Sequence, residues 1–261
     1  MPSTLDQFRL DGKVAVVTGA GGRGNSIGRA YALGLADAGA SVAIADLNLE
    51  GAQAVANEIV AAGGAAMAVQ VDVADEASTG SMGRSVIEAF GGVDILVNNA
   101  ALMVDISHDN CETISLEAWN RAFAVNLNGA LLCARAVLGS MRERGGGRII
   151  NQVSGGAFPA QGLYGISKLA LVGLTTTLAK QLGKSGITCN AIAPGNVTSD
   201  AGKLLVPDDS PFLRFLELSC ALRPRGAPDE LVGTLLLLSS EAGRWITGQT
   251  IHVDGGWILR P

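Results

Sequence analysis

The chain has 261 residues, 48% of them hydrophobic, and a formal net charge of −5. That is ample material for one large buried core, while an acidic chain without a Lys/Arg cluster excludes an electrostatic nucleic-acid footprint. Four scattered cysteines and two histidines argue against a disulfide framework and predict no metal site, as expected for reduced thiols in the cytoplasm. No uninterrupted apolar run reaches the ~18 residues of a membrane span. The opening MPSTLDQFRLDGK lacks the basic start and apolar stretch of a secretory signal.

Taken in order, KVAVVT (13–18) is a β-branched run short enough to be a strand buried on both faces. A glycine-rich turn follows, and SIGRAYALGLADAGA reads as a helix stopped by Gly39. SVAIAD (41–46) is the next strand, and Asn48 caps a helix over 48–62. AAMAVQVD, a helix over about 75–90, and VDILVNNA come next. A long helical pattern over 116–143 precedes RIINQVS, and a second over 162–184 precedes ITCNAIAP. Residues 199–224 break the rhythm and are read as a lid; a helix near 228–239 and the strand QTIHVDGG close the chain. Strict alternation of strand and helix implies a parallel sheet with right-handed crossovers. The fold predicted for 1–261 is a single doubly wound Rossmann-type α/β domain of about seven parallel strands with helices on both faces.

VTGAGGRGNSIGRA (17–30) carries five glycines between the first strand and the first helix. Gly19, Gly21 and Gly24 satisfy G-x-G-x-x-G, and Asp46 follows at the end of the second strand. Free N–H groups at a helix N-terminus attract pyrophosphate, and a carboxylate at that distance can hold both ribose hydroxyls of an adenosine. The run therefore reads as a phosphate cradle rather than a slack loop.

Together, TGAGGRGNSIG, Asp46, VDV (71–73), NNA (98–100), VNLNG (125–129), Ser154, YGISK (164–168), PGNVT (194–198) and ITGQTIHVDGG (246–256) make the chain resemble the short-chain dehydrogenase/reductases, in their compact single-domain branch. The resemblance spans nearly the whole length. It implies that Asp72 and Val73 border the adenine and that Asn98 and Ala100 line the ribose side. It also implies that Pro194 to Thr198 cover the nicotinamide, with the Val197 backbone on its carboxamide. Two departures stand out. The glycine turn is longer than the family's, with Ser26 at the second glycine as in related enoyl reductases, so Gly19, Ser26 and Ile27 are the preferred cofactor contacts. The Ser154–Tyr164 connection is a few residues shorter than usual.

Tyr164 and Lys168 lie at i and i+4, on one helix face. A free phenol has a pKa of about 10, and a neighbouring ammonium favours phenolate; the pair is read as catalytic, with Lys168 also on the cofactor ribose. Ser154, at a strand end, would hydrogen-bond the reacting oxygen. By resemblance Asn126 holds a helix kink and a water that relays protons to Lys168. Neither His108 nor His252 has a partner at triad spacing. The reaction expected is hydride transfer between NAD(H) and a small-molecule secondary alcohol or ketone; Asp46 opposes the 2′-phosphate of NADP, although Arg23 could greet it. Enoyl reduction is one alternative, but that branch separates its tyrosine and lysine by a longer stretch than the GIS found here. A non-catalytic dinucleotide sensor is the other. The lid's Leu and Phe residues, with Met103, Val104 and Phe158, suggest an apolar substrate, while steroid, cyclic alcohol, sugar and 3-oxoacyl classes all stay open. By family resemblance a homotetramer is expected, burying the two long helices and the C-terminal strand with Trp257.

Overall fold

A computed structural model describes residues 3–22, 24–104, 106, 110–159 and 162–259; Arg23 and His108, weighed above, lie outside the described residues. Seven parallel strands form one sheet: β1 (Val14–Thr18), β2 (Ser41–Asp46), β3 (Ala66–Gln70), β4 (Ile95–Asn98), β5 (Gly147–Gln152), β6 (Ile187–Pro194) and β7 (Thr250–Val253), in the order 3-2-1-4-5-6-7. Strand order reverses between β1 and β4, which opens a crevice at the carboxyl ends of the strands. Several strands are shorter than their apolar runs. Val71 to Val73 and Asn99 to Ala100 leave the ladder, because these residues turn over the carboxyl edge into loops.

Side-chain alternation along each strand feeds two apolar layers. Ala15, Val17, Val42 and Ile44 pack against Tyr31 and Leu35 of α1 (Ile27–Asp37), Val55 and Ile59 of α2 (Leu49–Ala61), and Leu235 and Leu238 of α9 (Val232–Ser239). Val14, Val16, Ala43 and Ala45 face the other way, toward α3 (Glu76–Phe90), α5 (Gly129–Glu143) and α6 (Gly162–Leu182). Each fully buried aliphatic side chain contributes about 1.5–3 kcal/mol, so these layers fix the helices to the sheet. Helix starts are local: Ser26, Asn48 and Asp75 each accept a backbone N–H from the first turn.

The expected helix over 116–143 is not uniform. α4 (Leu116–Phe123) passes through a widened π-type turn, Ala124–Asn128, before α5 begins. By length and composition Leu116–Glu143 and Gly162–Ser185 could each cross a membrane, a point the search for uninterrupted apolar runs missed. Here their apolar faces form the core layer, through Val137 and Met141 of one and Leu178 and Leu182 of the other. The irregular stretch after β6 holds two short helices, α7 (Asp200–Leu205) and α8 (Pro211–Ser219), capped by Ser199 and Ser210.

Candidate active site

The crevice is a cleft of about 750 Å³ walled by the ends of β1 to β6 and by α7 and α8. Its floor is set by Thr18 and Asn99. The Thr18 hydroxyl accepts the N–H groups of Asn99 and Ala100, both at 3.1 Å, and the Asn99 amide donates to the carbonyls of Thr18 and Gly19, both at 2.9 Å. This strap holds the loop after β4 against the glycine turn. Gly19 adopts φ +68°, and a Cβ there would lie 2.6 Å from the Ala100 Cα, so the close approach requires glycine. Asn99 was not singled out from the sequence, although it is the middle residue of the NNA motif.

At the β2 end the Asp46 carboxylate borders the cleft and accepts the N–H groups of Gly21 and Asn48, each at 2.9 Å. Gly19, Ser26, Ile27, Asp72, Val73, Ala100, Pro194 and Val197 line the same cleft. Ser26 Oγ takes the Arg29 N–H, while the N–H groups of Ile27 and Gly28 have no acceptor among the described residues. Unspent donors at a helix start, with a carboxylate fixed opposite, fit a dinucleotide's pyrophosphate and ribose. Two of the expected contact residues engage the protein through their side chains. Asn98 turns inward, donating to Asn151 Oδ1 at 2.8 Å and the Ala130 carbonyl at 3.2 Å. Thr198 donates both its N–H and its hydroxyl to the Gly226 carbonyl, at 2.8 and 3.1 Å, and is not part of the cleft wall.

Across the cleft, Ser154 is fully extended beyond β5, and its Oγ accepts the Gly156 N–H at 3.1 Å. Tyr164, in the first turn of α6, is largely buried, and burial pushes its phenol up to about 12, against the opposing pull of the Ser154 hydroxyl. Lys168, only 1% exposed, donates from Nζ to the Gln152 carbonyl at 2.8 Å and lies 5.8 Å from the Tyr164 ring centre. Burial pulls Lys168 down to about 7. Desolvation is the larger effect on both groups in the chain by itself.

Asn126 sits in the widened turn with its side chain fully used. Its Oδ1 accepts the Leu102 N–H at 2.8 Å, and its Nδ2 donates to the Leu102 carbonyl and to Ser167 Oγ, both at 2.9 Å. Ser167 in turn donates to the Tyr164 carbonyl at 2.8 Å. Sequence reasoning missed Ser167, the polar residue inside YGISK, which ties the kink to the first turn of α6.

Met103, Val104, Leu205, Phe212 and Trp257 line the outer cleft. Trp257, expected at a subunit surface, turns into its own cleft and meets Phe212 edge-on at 5.9 Å. Phe158 leaves the wall and meets His252 at a tilt, with ring centres 4.8 Å apart. Among the described residues no cluster of His, Cys, Asp or Glu could hold a metal ion.

A family profile described as enoyl-(acyl carrier protein) reductase matches residues 22–258. An uncharacterised oxidoreductase of Mycobacterium tuberculosis is 45% identical over 251 residues, covering 96% of this chain and 99% of the relative. A crystal structure of gluconate 5-dehydrogenase from Burkholderia cenocepacia, in complex with NADP and tartrate, superposes with a TM-score of 0.90 at 35% identity and covers 98% of each chain. A 7α-hydroxysteroid dehydrogenase complexed with NADH and 7-oxoglycochenodeoxycholic acid gives 0.89 at 32% identity, again with 98% of each chain covered. With a family profile over most of the length and relatives above 30% identity over nearly all of it, the chain belongs to the short-chain dehydrogenase/reductase family of oxidoreductases.

Proposed function

We propose that the protein is an NAD(H)-dependent dehydrogenase/reductase that interconverts a small secondary alcohol and its ketone, with Tyr164 as general acid/base. One observation carries this reading: Tyr164, one helical turn from buried Lys168, borders the same cleft as Ser154, Asp46 and the glycine turn. When bound, the nicotinamide dinucleotide supplies or accepts the hydride. Asp46 would hold its adenosine ribose, the first turn of α1 its pyrophosphate, and Asp72 and Val73 its adenine. Ala100 would line the ribose side, and Pro194 and Val197 would cover the nicotinamide.

In the oxidative direction the Tyr164 oxygen takes the hydroxyl proton of the substrate, and in reduction it returns that proton to the carbonyl oxygen. Ser154 donates a hydrogen bond to the same oxygen and stabilises its developing negative charge. Burial pulls Lys168 down to about 7, and when its Nζ carries a proton that charge favours the phenolate. Asn126 and Ser167 hold the first turn of α6 in register with the loop after β4.

The choice of NAD over NADP rests on Asp46. A 2′-phosphate about 4 Å from this carboxylate, at an effective dielectric near 20, would be repelled by about 4 kcal/mol, and the following residue, Leu47, offers no cation. The structural relatives are divided, one holding NADP and another NADH. The i, i+4 spacing of Tyr164 and Lys168 favours carbonyl chemistry over enoyl reduction. The test is a panel of secondary alcohols with NAD and of ketones with NADH, followed by nicotinamide absorbance. Tight dinucleotide binding without turnover on any member would overturn the catalytic reading in favour of a sensor.

A further inference from the structure

We propose that the lengthened glycine turn is latched to the substrate lid through Asp200, so that a dinucleotide held by the turn also orders α7. The proposal rests on the dinucleotide reading above and assigns Asp200 as a positioning residue. Three hydrogen bonds make the latch. The Asn25 N–H donates to Asp200 Oδ2 at 3.1 Å, the Asp200 N–H donates back to the Asn25 carbonyl at 3.0 Å, and the Asn25 amide donates to the Thr198 carbonyl at 3.2 Å.

The turn's other end is tied to the dinucleotide side. The Gly21 N–H donates to Asp46, and the Gly21 carbonyl accepts the Asn48 amide at 3.2 Å. The turn therefore bridges the carboxylate meant for the ribose and the first residue of the lid helix. Gly24 is built for this contact: at φ +45° its Cβ would stand 2.4 Å from Asp200 Oδ2, so a side chain there would push the carboxylate away. Asp200 is not needed as the α7 cap, because Ser199 Oγ already accepts the Gly202 N–H at 3.0 Å. Its carboxylate is spent on the turn instead.

Moving α7 changes the cleft directly, since Ala201, Leu204 and Leu205 form part of its wall. Two segments joined by reciprocal hydrogen bonds share an ordering equilibrium, so whatever stiffens one stiffens the other. The lengthening of the turn relative to the family thus gains a role. It supplies Asn25, which reaches out of the cradle to the lid.

Hydrogen exchange with NADH as the only probe tests the latch. In the wild-type protein NADH is expected to slow exchange both in the glycine turn and in residues 200–206. In Asp200→Ala, NADH should still slow the turn, while amides of 200–206 exchange about tenfold faster than in the NADH-bound wild type. Asp200→Asn, which keeps an acceptor oxygen, should restore most of the protection, and Gly24→Ala should reproduce the loss. If Asp200→Ala does not fold, Asp200→Asn against Gly24→Ala gives the same comparison. Equal protection of 200–206 in the wild type, Asp200→Ala and Gly24→Ala would overturn the latch, as would a turn protected by NADH in the wild type without α7. A wild type that shows no protection anywhere would instead remove the dinucleotide reading, and the latch with it.

Discussion

Tyr164→Phe deletes one oxygen from a nearly buried ring and leaves its packing against Ala122, Leu163 and Phe123 in place. Loss of acid/base action should lower turnover by roughly 10²–10⁴-fold with NADH affinity nearly unchanged; a variant keeping half its kcat would refute the assignment. Asp46→Ala separates the ribose hydrogen bonds from charge repulsion. Its kcat/KM with NAD should fall and that with NADP rise, closing much of an initial gap of about a thousandfold, the equivalent of about 4 kcal/mol. Steady-state kinetics with both cofactors would decide, and a wild-type preference for NADP would overturn the reading. Lys168 links catalysis to stability. Burial holds its folded pKa at about 7, below the ordinary lysine value of 10.5, so between these values the unfolded chain binds the proton more readily. Stability contributed by this site therefore rises with pH across that window, and the burial cost is fully felt below about pH 7. Lys168→Met should abolish turnover yet raise Tm relative to wild type most at about pH 6, with the difference shrinking toward about pH 10. Parallel melting curves at all pH values would contradict the assigned burial effect.

At the scale of elements, the amino end of the sheet hangs on Asp94. Its carboxylate accepts the Val14 N–H at 2.9 Å and two hydrogen bonds from the Arg144 guanidinium, each at 2.9 Å, joining β1, the approach to β4 and the end of α5. Arg144 is partly exposed, so breaking the group should cost less than a fully buried pair, about 2–3 kcal/mol. Asp94→Ala should accordingly lower Tm by several degrees and leave the cleft chemistry intact; an unchanged Tm would count against this clamp. This junction was not visible beforehand, because it joins residues far apart in the chain. The strands were, since VAVVT, SVAIAD and ITCNAIAP are β-branched runs bounded by glycine or capping residues. The glycine turn, Asp46 and the Tyr164–Lys168 pair were equally legible, because their spacing alone fixes a helix start or a shared helix face. α7 and α8 were not, because each is too short for helical periodicity to register. The side-chain partners of Asn98 and Thr198 were hidden for a related reason. Which way a residue faces at a strand end depends on the loop it enters, and here Asn151 and Gly226, both remote in sequence, capture them.

For the whole molecule, the exterior carries apolar residues that a lone subunit leaves wet. Leu116 of α4 is 78% exposed, Leu169 of α6 is 50% exposed, and both lie on the long helices expected between subunits. A homotetramer with closed two-fold symmetry is the expected assembly. Light scattering should find four subunits in the wild type and a smaller species in Leu169→Asp; a wild-type monomer at micromolar concentration would refute it. The lid also leaves an apolar pair in water, with Leu218 and Leu222 at 91% and 74% exposure beside the short helices. The sheet beneath is held by buried layers on both faces and by the Thr18–Asn99 strap, whereas the lid's two serine-capped helices bury only Leu213 and Leu216 between them. Such a segment is where a protease finds its first cut. Brief trypsin treatment should nick the chain near Lys203 or Arg214 while the rest of the domain stays in one piece, leaving a two-fragment protein that still retains NADH but no longer turns substrate over.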